Sequence, residues 1–370
     1  MFHASFSRGR RLWAALLLGL SLCLPACADL TLGGNARTVA MGGAGLASGD
    51  SSESATLNPA TLAYTGLRFG IEWPTINTRM QGASFGDVFS LLGKPSLSPS
   101  KALDFALKLG DERTSLDATA GAGLLLPSSD IRATAALHAE LDPNAAFQQW
   151  VSSGANPADL TGDARIDIYG AGVATLPSVG LGITLPNSGE GASRFSIGLR
   201  AKPVRSYYSH YIVDKDSVSG TEISPQRAVE MGGKDYLKQS SFGADLGLMY
   251  SPGSMPDLHL AVVVDNAIEP KALSFSSGTV ASRQLSPRTV SAGMAYVKPM
   301  VTLAADLVDL TKAHGDPQVR VGGELRLPLS LALRGGYNTV SGFTAGIGFG
   351  GLGIAYSKHT PILITEAIKF

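Results

Sequence analysis

Cysteine is almost missing from this 370-residue chain: there are two, Cys23 and Cys27, both within the first 28 positions. Once that leader is removed, neither a disulfide framework nor a thiolate zinc site can form in the remainder. Long apolar runs are missing too. No segment after the leader approaches the roughly 18 apolar residues that a membrane-spanning helix needs. Charge is sparse, 16% of residues, and formally balanced at zero. The leader carries Arg8, Arg10 and Arg11 and no acid, so its removal takes a chain of 30 basic and 30 acidic residues to a net charge of −3. That leaves no basic stripe of the kind nucleic acid requires. The six histidines show no metal-ligand spacing, and no acidic constellation reads as a calcium loop. No cofactor is expected.

What is present begins with an export signal. Three arginines precede an apolar run over 12–22, and Ala26-Cys27-Ala28 precedes Asp29, which predicts cleavage between Ala28 and Asp29. The run is too short to span a bilayer as a helix. Leu24-Pro25-Ala26-Cys27 loosely resembles a lipoprotein box, which would instead make Cys27 the lipidated first residue; Pro25 fits that pattern poorly.

Glycine is abundant (44), and mean hydropathy is +0.14. Much of the chain, and 241–356 most clearly, reads as strands of about nine residues with a period of two. Val319, Val321, Leu325 and Leu327 alternate with Gln318, Arg320, Glu324 and Arg326. Leu331, Leu333 and Tyr337 oppose Arg334 and Gly336; Phe343, Ala345, Ile347 and Phe349 oppose Thr344, Gly346 and Gly348. Alternation gives each strand one apolar face and one polar or tiny face. A soluble sandwich would have to cover the apolar faces with a second sheet, whereas an outer-membrane barrel turns them to lipid. The second reading fits an exported chain without helical spans.

Further strands are predicted at 67–76, 116–126 and 131–141, with 166–185 as one strand bent at Leu176-Pro177-Ser178. Insertions at 81–112 and 142–163 are predicted to hold short helices at 101–109 and 145–151. Tight connections at Gly350-Gly351, 327–330, Lys298-Pro299 and 251–256 alternate with long ones at 311–317, 267–286 and 209–239. Short turns at one rim and long loops at the other are the barrel pattern. The fold expected is all-β: a transmembrane antiparallel β-barrel of about 14 strands. Arg200, Lys202, Asp245, Asp306, Arg320, Glu324, Arg326 and Arg334 fall on the lumen-facing side of their strands. Both signs are present, as a charge-paired interior requires. Tyr207, Tyr208, Tyr211 and Tyr250, near strand ends, suit the interfacial aromatic girdles.

The segment 29–66 has no strand period. Asn35 to Ala44, with Met41, Gly42 and Gly43 at its core, is followed by a polar stretch and then Leu57-Asn58-Pro59-Ala60-Thr61-Leu62-Ala63. This pair of motifs resembles the N-terminal segment of FadL-like outer-membrane proteins, a superfamily that includes hydrocarbon transporters, TraF-like plasmid-transfer proteins and PorV-like secretion proteins. Residues 242–250, 263–270, 304–312 and 333–337 are most similar to the TraF-like branch. The resemblance implies a hatch over 29–66 plugging a barrel over 67–370 in the cell outer membrane. It implies passive transport of a hydrophobic small molecule or, alternatively, a non-transporting barrel in a conjugal-transfer or secretion apparatus. Phe370, preceded by Ile368, Ile364 and Ile362, resembles the signal read by the barrel assembly machinery, although Glu366 breaks the alternation. Expected partners are outer-membrane lipid, that machinery, and either the small molecule or envelope secretion or transfer proteins.

Three patterns point elsewhere. Gly82-Ala83-Ser84-Phe85-Gly86 matches the nucleophile-elbow pattern, and Gly49-Asp50-Ser51 matches the core of another serine-hydrolase motif. His259, His314 and His359 lie downstream, but no α/β alternation exists to hold such a site. An exported serine hydrolase is the distant alternative. Gly346-Ile347-Gly348-Phe349-Gly350-Gly351 fits a dinucleotide fingerprint on paper, yet no helix follows it. No enzyme is expected.

Overall fold

The alternation of side chains becomes the two faces of an antiparallel sheet that closes on itself. The computed structural model describes residues 35–49, 52–64, 69–81, 114–153, 161–186, 189, 191–214, 226–227, 236–275, 282–357 and 363–369. The first strands are β1 (Gly70–Gln81), β2 (Thr114–Leu126), β3 (Ser129–Pro143), β4 (Arg165–Leu185) and β5 (Arg194–Asp214). A two-residue β6 (Gln226–Arg227) pairs with β5 and takes no place in the ring. The circuit continues through β7 (Leu237–Ser251), β8 (Leu258–Ile268), β9 (Thr289–Val297), β10 (Val301–Val308) and β11 (Gln318–Leu327). It ends with β12 (Leu331–Asn338), β13 (Gly342–Phe349), β14 (Leu352–Ser357) and β15 (Leu363–Lys369). β15 then pairs with β1, Gly70 opposite Lys369 and Glu72 opposite Ala367. Fourteen strands therefore form a ring without a free edge.

The two faces differ as a membrane barrel requires. Val319, Leu325, Leu333, Ile347 and Phe349 point outward and are 40–62% exposed, while Arg200, Glu324 and Thr344 point inward and are buried. No helix among the described residues is long and apolar enough to cross a membrane. The strands make the crossing, each satisfying its backbone on its neighbours.

The wall is uneven in height. β4 and β5 each run 21 residues, but β12 and β13 run 8 and β14 only 6. At roughly 3.3 Å per residue and a tilt of roughly 40°, 8 residues rise roughly 20 Å and 21 roughly 50 Å, against an apolar band of about 25 Å. The exposed apolar residues of β4, Leu176, Val179, Leu181, Ile183 and Leu185, all lie in the half beside the 186–193 connection. At the end of the other half packs α3 (Ala145–Ser152). Asn144 caps that helix by accepting from the Phe147 N–H at 2.9 Å, and Phe147 and Trp150 pack on Ala164 and Ile166. β4 stays one strand through its proline. Its register with β5 steps from Thr175–Val204 to Val179–Ala201, a bulge at the place where proline cannot donate to the ladder.

Residues 35–64 fold inside the ring as α1 (Ala36–Ala40), α2 (Ser52–Leu57) and a 3₁₀ turn at Pro59–Tyr64. The Asn35 side chain caps α1 by accepting from the Thr38 N–H at 3.0 Å. Met41, Ala44, Leu46 and Ala47 pack against the inward-facing Ala261, Val263, Ala295, Ala304 and Val308.

One expectation about the tyrosines is corrected. Tyr208 is buried in the lumen against Leu237 and Leu273, because its register opposite Ala171 puts it on the inward face. Tyr207 and Tyr250 do face outward, and the side chain of Tyr211 lies outside the described residues.

Candidate functional site in the barrel lumen

Each of the eight charges assigned to the lumen from the sequence lies on the inward face; some bond to one another within the wall, and Glu324, Asp306 and Arg200 also bond to the inner segment. Glu324 receives three guanidinium groups: Arg37 at 2.9 and 3.2 Å, Arg326 at 2.8 Å and Arg334 at 2.7 Å. Asp306 accepts the backbone N–H groups of Gly45 at 2.7 Å and Leu46 at 3.1 Å. Arg200 donates to Asp130 at 2.8 Å and to the Ala55 carbonyl at 2.7 Å. Lys202 donates to Asp245 at 2.5 Å and to the Asn266 side chain at 2.8 Å. Arg320 donates to Gln318 at 2.8 Å.

Close backbone approach completes the seat. A Cβ on Gly322 or Gly336 would overlap the Met41 backbone, and one on Gly198 or Gly247 would overlap the Asn58-Pro59-Ala60 turn. Within that turn, Asn58 accepts from the Ala60 N–H at 2.9 Å and donates to the Leu46 carbonyl at 2.9 Å. Gly42, at φ +69°, leaves its carbonyl to accept from Asn338 at 3.0 Å.

Sequence reasoning missed several members of these networks. Asp130 falls between the strands predicted at 116–126 and 131–141, yet it is fully buried and binds both Arg132 and Arg200; Arg132 also reaches Glu72. Arg37 lies inside the N-terminal motif, where its role as a tie to the wall depends on a residue 287 positions away. In the tall half of the wall, His138 meets Asp117 at 2.7 Å and His210 meets Asp167 at 2.8 Å. No group among the described residues is arranged to hold a metal ion. Ala28, Asp29, Phe370 and the Ser84 motif lie outside the described residues. The glycine run 346–351 forms the end of β13 and the turn into β14, with Gly346 against Ala40.

Above the inner segment, part of the long loop between β8 and β9 folds back into the lumen. Leu273, Phe275 and Leu285 pack on Ala171, Tyr208 and Leu237, and Arg283 donates to the Tyr208 hydroxyl at 3.1 Å. Leu273 and Arg283 pair as an isolated antiparallel bridge. The sequence shows this loop as polar overall; its few apolar residues are too scattered to reveal the infolding. A cavity of about 110 Å³ remains between loop and inner segment. Leu46 and Leu57 floor it, Val173, Val204 and Val308 wall it, and Leu285 closes it from above. Its polar lining includes Lys202, Asp265, Asn266 and His314.

Fold and lumen together define a class: a 14-stranded transmembrane β-barrel with residues 35–64 seated inside. The fold is that of a monoaromatic hydrocarbon channel, the TodX ΔS2S3 mutant, at 12% identity over 90% of this chain and 96% of that one, with a TM-score of 0.50. Two toluene transporters also align. TbuX from Ralstonia pickettii does so at 11% identity over 92% and 97% of the two chains, with a TM-score of 0.40. TodX from Pseudomonas putida does so at 14% over 91% and 97%, with a TM-score of 0.38. No protein-family model matches the sequence, and no curated protein matches it by sequence.

Proposed function

We propose that this chain is an outer-membrane protein that admits a small hydrophobic molecule to the chamber between its hatch, residues 29–66, and its infolded outer loop. The observation that carries the reading is the chamber: beside the ion pairs and close-packed backbone of the lumen lies a space of about 110 Å³, where Leu46, Leu57, Val173, Val204, Leu285 and Val308 form an apolar part of a mixed lining. The shared fold with a monoaromatic hydrocarbon channel supports it by analogy. The same reading has residues 1–28 removed between Ala28 and Asp29, Phe370 read by the barrel assembly machinery, and the apolar outer face of 67–370 set in outer-membrane lipid.

The firmness of the hatch's attachment favours a second reading: a non-transporting barrel of TraF-like type, held within a conjugal-transfer or secretion apparatus. Purification in detergent, with and without residues 35–64, separates the two. Co-purifying apolar compounds whose retention depends on the hatch, together with uptake by proteoliposomes, support transport. An empty barrel that stays impermeable to toluene and binds purified envelope components supports the apparatus.

A further inference from the structure

On the wall strands from β2 to β14, charge reaches the outward face at one place. The residues there are Arg205 and Lys238, both cationic. Val204 and Ser206 are buried on the inward side, so Arg205 between them points out. Where β5 pairs with β7, Arg205 lies opposite Ser240 and Tyr207 opposite Lys238. The two cations are therefore diagonal neighbours, with backbones roughly 7–8 Å apart. Their neighbours on that face, Ala174, Pro203, Tyr207 and Ser240, carry no charge.

Beside these cations the wall is hollow. Ala120, Ala135 and Ala174 pair in a row that ends on Arg205, and Leu137, Gly172 and Tyr207 in a row that ends on Lys238. The small residues leave a groove of about 570 Å³, with Leu137, Tyr207 and Tyr236 standing along its sides. The two tyrosine rings lie 6.4 Å apart, and the Lys238 ammonium is 5.8 Å from the Tyr207 ring centre. The groove starts at Ala174, where the exposed apolar run of β4 from Leu185 to Leu176 stops. Along β5, from Phe195, which pairs with Tyr250, to Tyr207, the wall rises roughly 30 Å, a little more than the apolar band of about 25 Å. Tyr207 therefore marks the level of a membrane interface, on the side of the long 209–239 connection. Long connections mark the outer rim of such barrels.

We infer that this groove binds a phosphorylated glycolipid of the outer leaflet, with a phosphate between Arg205 and Lys238, a sugar ring against Tyr207 and Tyr236, and an acyl chain running down over Leu176. This occupant presupposes the outer-membrane placement proposed above, but not the passage of any solute. Charge selects the phosphate, because a guanidinium and an ammonium on diagonal positions can both donate to the oxygens of one anion. Breadth selects the sugar. The small floor spans β2 to β5, roughly 14 Å at the spacing of neighbouring strands, which is wider than a glycerol head group needs.

The test is native mass spectrometry of the detergent-folded protein, titrated with diphosphoryl lipid A, phosphatidylglycerol or phosphatidylethanolamine. Lipid A is expected to bind several-fold more tightly than phosphatidylglycerol, and phosphatidylethanolamine most weakly. Arg205→Ala combined with Lys238→Ala is expected to weaken lipid A binding roughly thirty-fold, and Arg205→Lys only slightly. A Cβ on Gly172 would lie 3.7–3.8 Å from Ala136, Leu137 and Tyr207, so the strand accepts a side chain there. Gly172→Leu is expected to fill the groove and weaken lipid A binding several-fold with both cations in place. Equal binding of phosphatidylglycerol would overturn the glycolipid assignment. Lipid A binding unaltered by the double variant or by Gly172→Leu would overturn the site. Either result would leave the membrane placement standing, whereas a protein that folds without detergent would overturn both.

Discussion

At the scale of single residues, Glu324 is the clearest test of how the inner segment is held. Its carboxylate is shared by one arginine of the inner segment and two of the wall. Removing it strands buried positive charge, which typically costs about 3–5 kcal/mol. Glu324→Ala is therefore expected to lower the urea midpoint of the detergent-folded barrel clearly, with Glu324→Gln intermediate; an unchanged midpoint would show the cluster to be dispensable. Asp309 makes a different prediction, because it sits in the loop after β10, outside the strands. Burial alone would raise its carboxyl pKa. The N–H groups of His314 and Ala313 and the Thr311 hydroxyl outweigh that effect and hold it below the ordinary 3.8. A carboxyl more acidic in the folded state contributes stability that is complete above its unfolded pKa and is lost as pH falls through the folded value. A carbon-13 titration should place the Asp309 midpoint below that of an exposed aspartate. A midpoint at or above 3.8 would mean these donors do not hold it.

Elements show why the plug sits where it does. Strands β5, β7, β11 and β12 each carry an inward glycine where the inner segment touches the wall. The sequence displays these glycines plainly, but as small positions alternating with apolar ones, with nothing to say what fills the space above them. Gly322→Val is expected to displace the Met41 region without breaking β11, since valine suits a strand. Limited proteolysis from the hatch side should then cut residues 35–64 several-fold faster than in the wild type. Equal rates would show that the seat tolerates a side chain. The bulge of β8 at Asn266, φ +52°, teaches the same lesson. Asp265-Asn266 alternates on paper, and the positive φ that brings both side chains inward is set by pairing with neighbouring strands.

For the molecule as a whole, the decisive property is the orientation of its apolar face. A closed ring with outward residues such as Phe349 at 62% exposure and an ion-paired interior is stable only where the outside is hydrocarbon. The chain from Asp29 onward is expected to fold on addition of detergent micelles and to run faster on gels unheated than boiled. A folded monomer in plain buffer would contradict the membrane assignment outright. The uneven wall belongs to this scale as well. The tall side was legible in part: 166–185 reads as a single strand and β4 spans it, whereas β5 runs on to Asp214, into a stretch that reads as loop from 209.

The period-two pattern, the alternation of tight and long connections and the sidedness of the charged residues were settled by sequence alone, because β-geometry converts adjacency along the chain directly into opposite faces. Tertiary structure decided which of those charges meet, that Tyr208 and the apolar residues of a polar loop turn inward, and that Asp265 and Asn266 both reach the lumen. Each of these depends on pairings between residues tens to hundreds of positions apart, and on bulges that reset the alternation locally. Neither leaves a periodic trace in the chain.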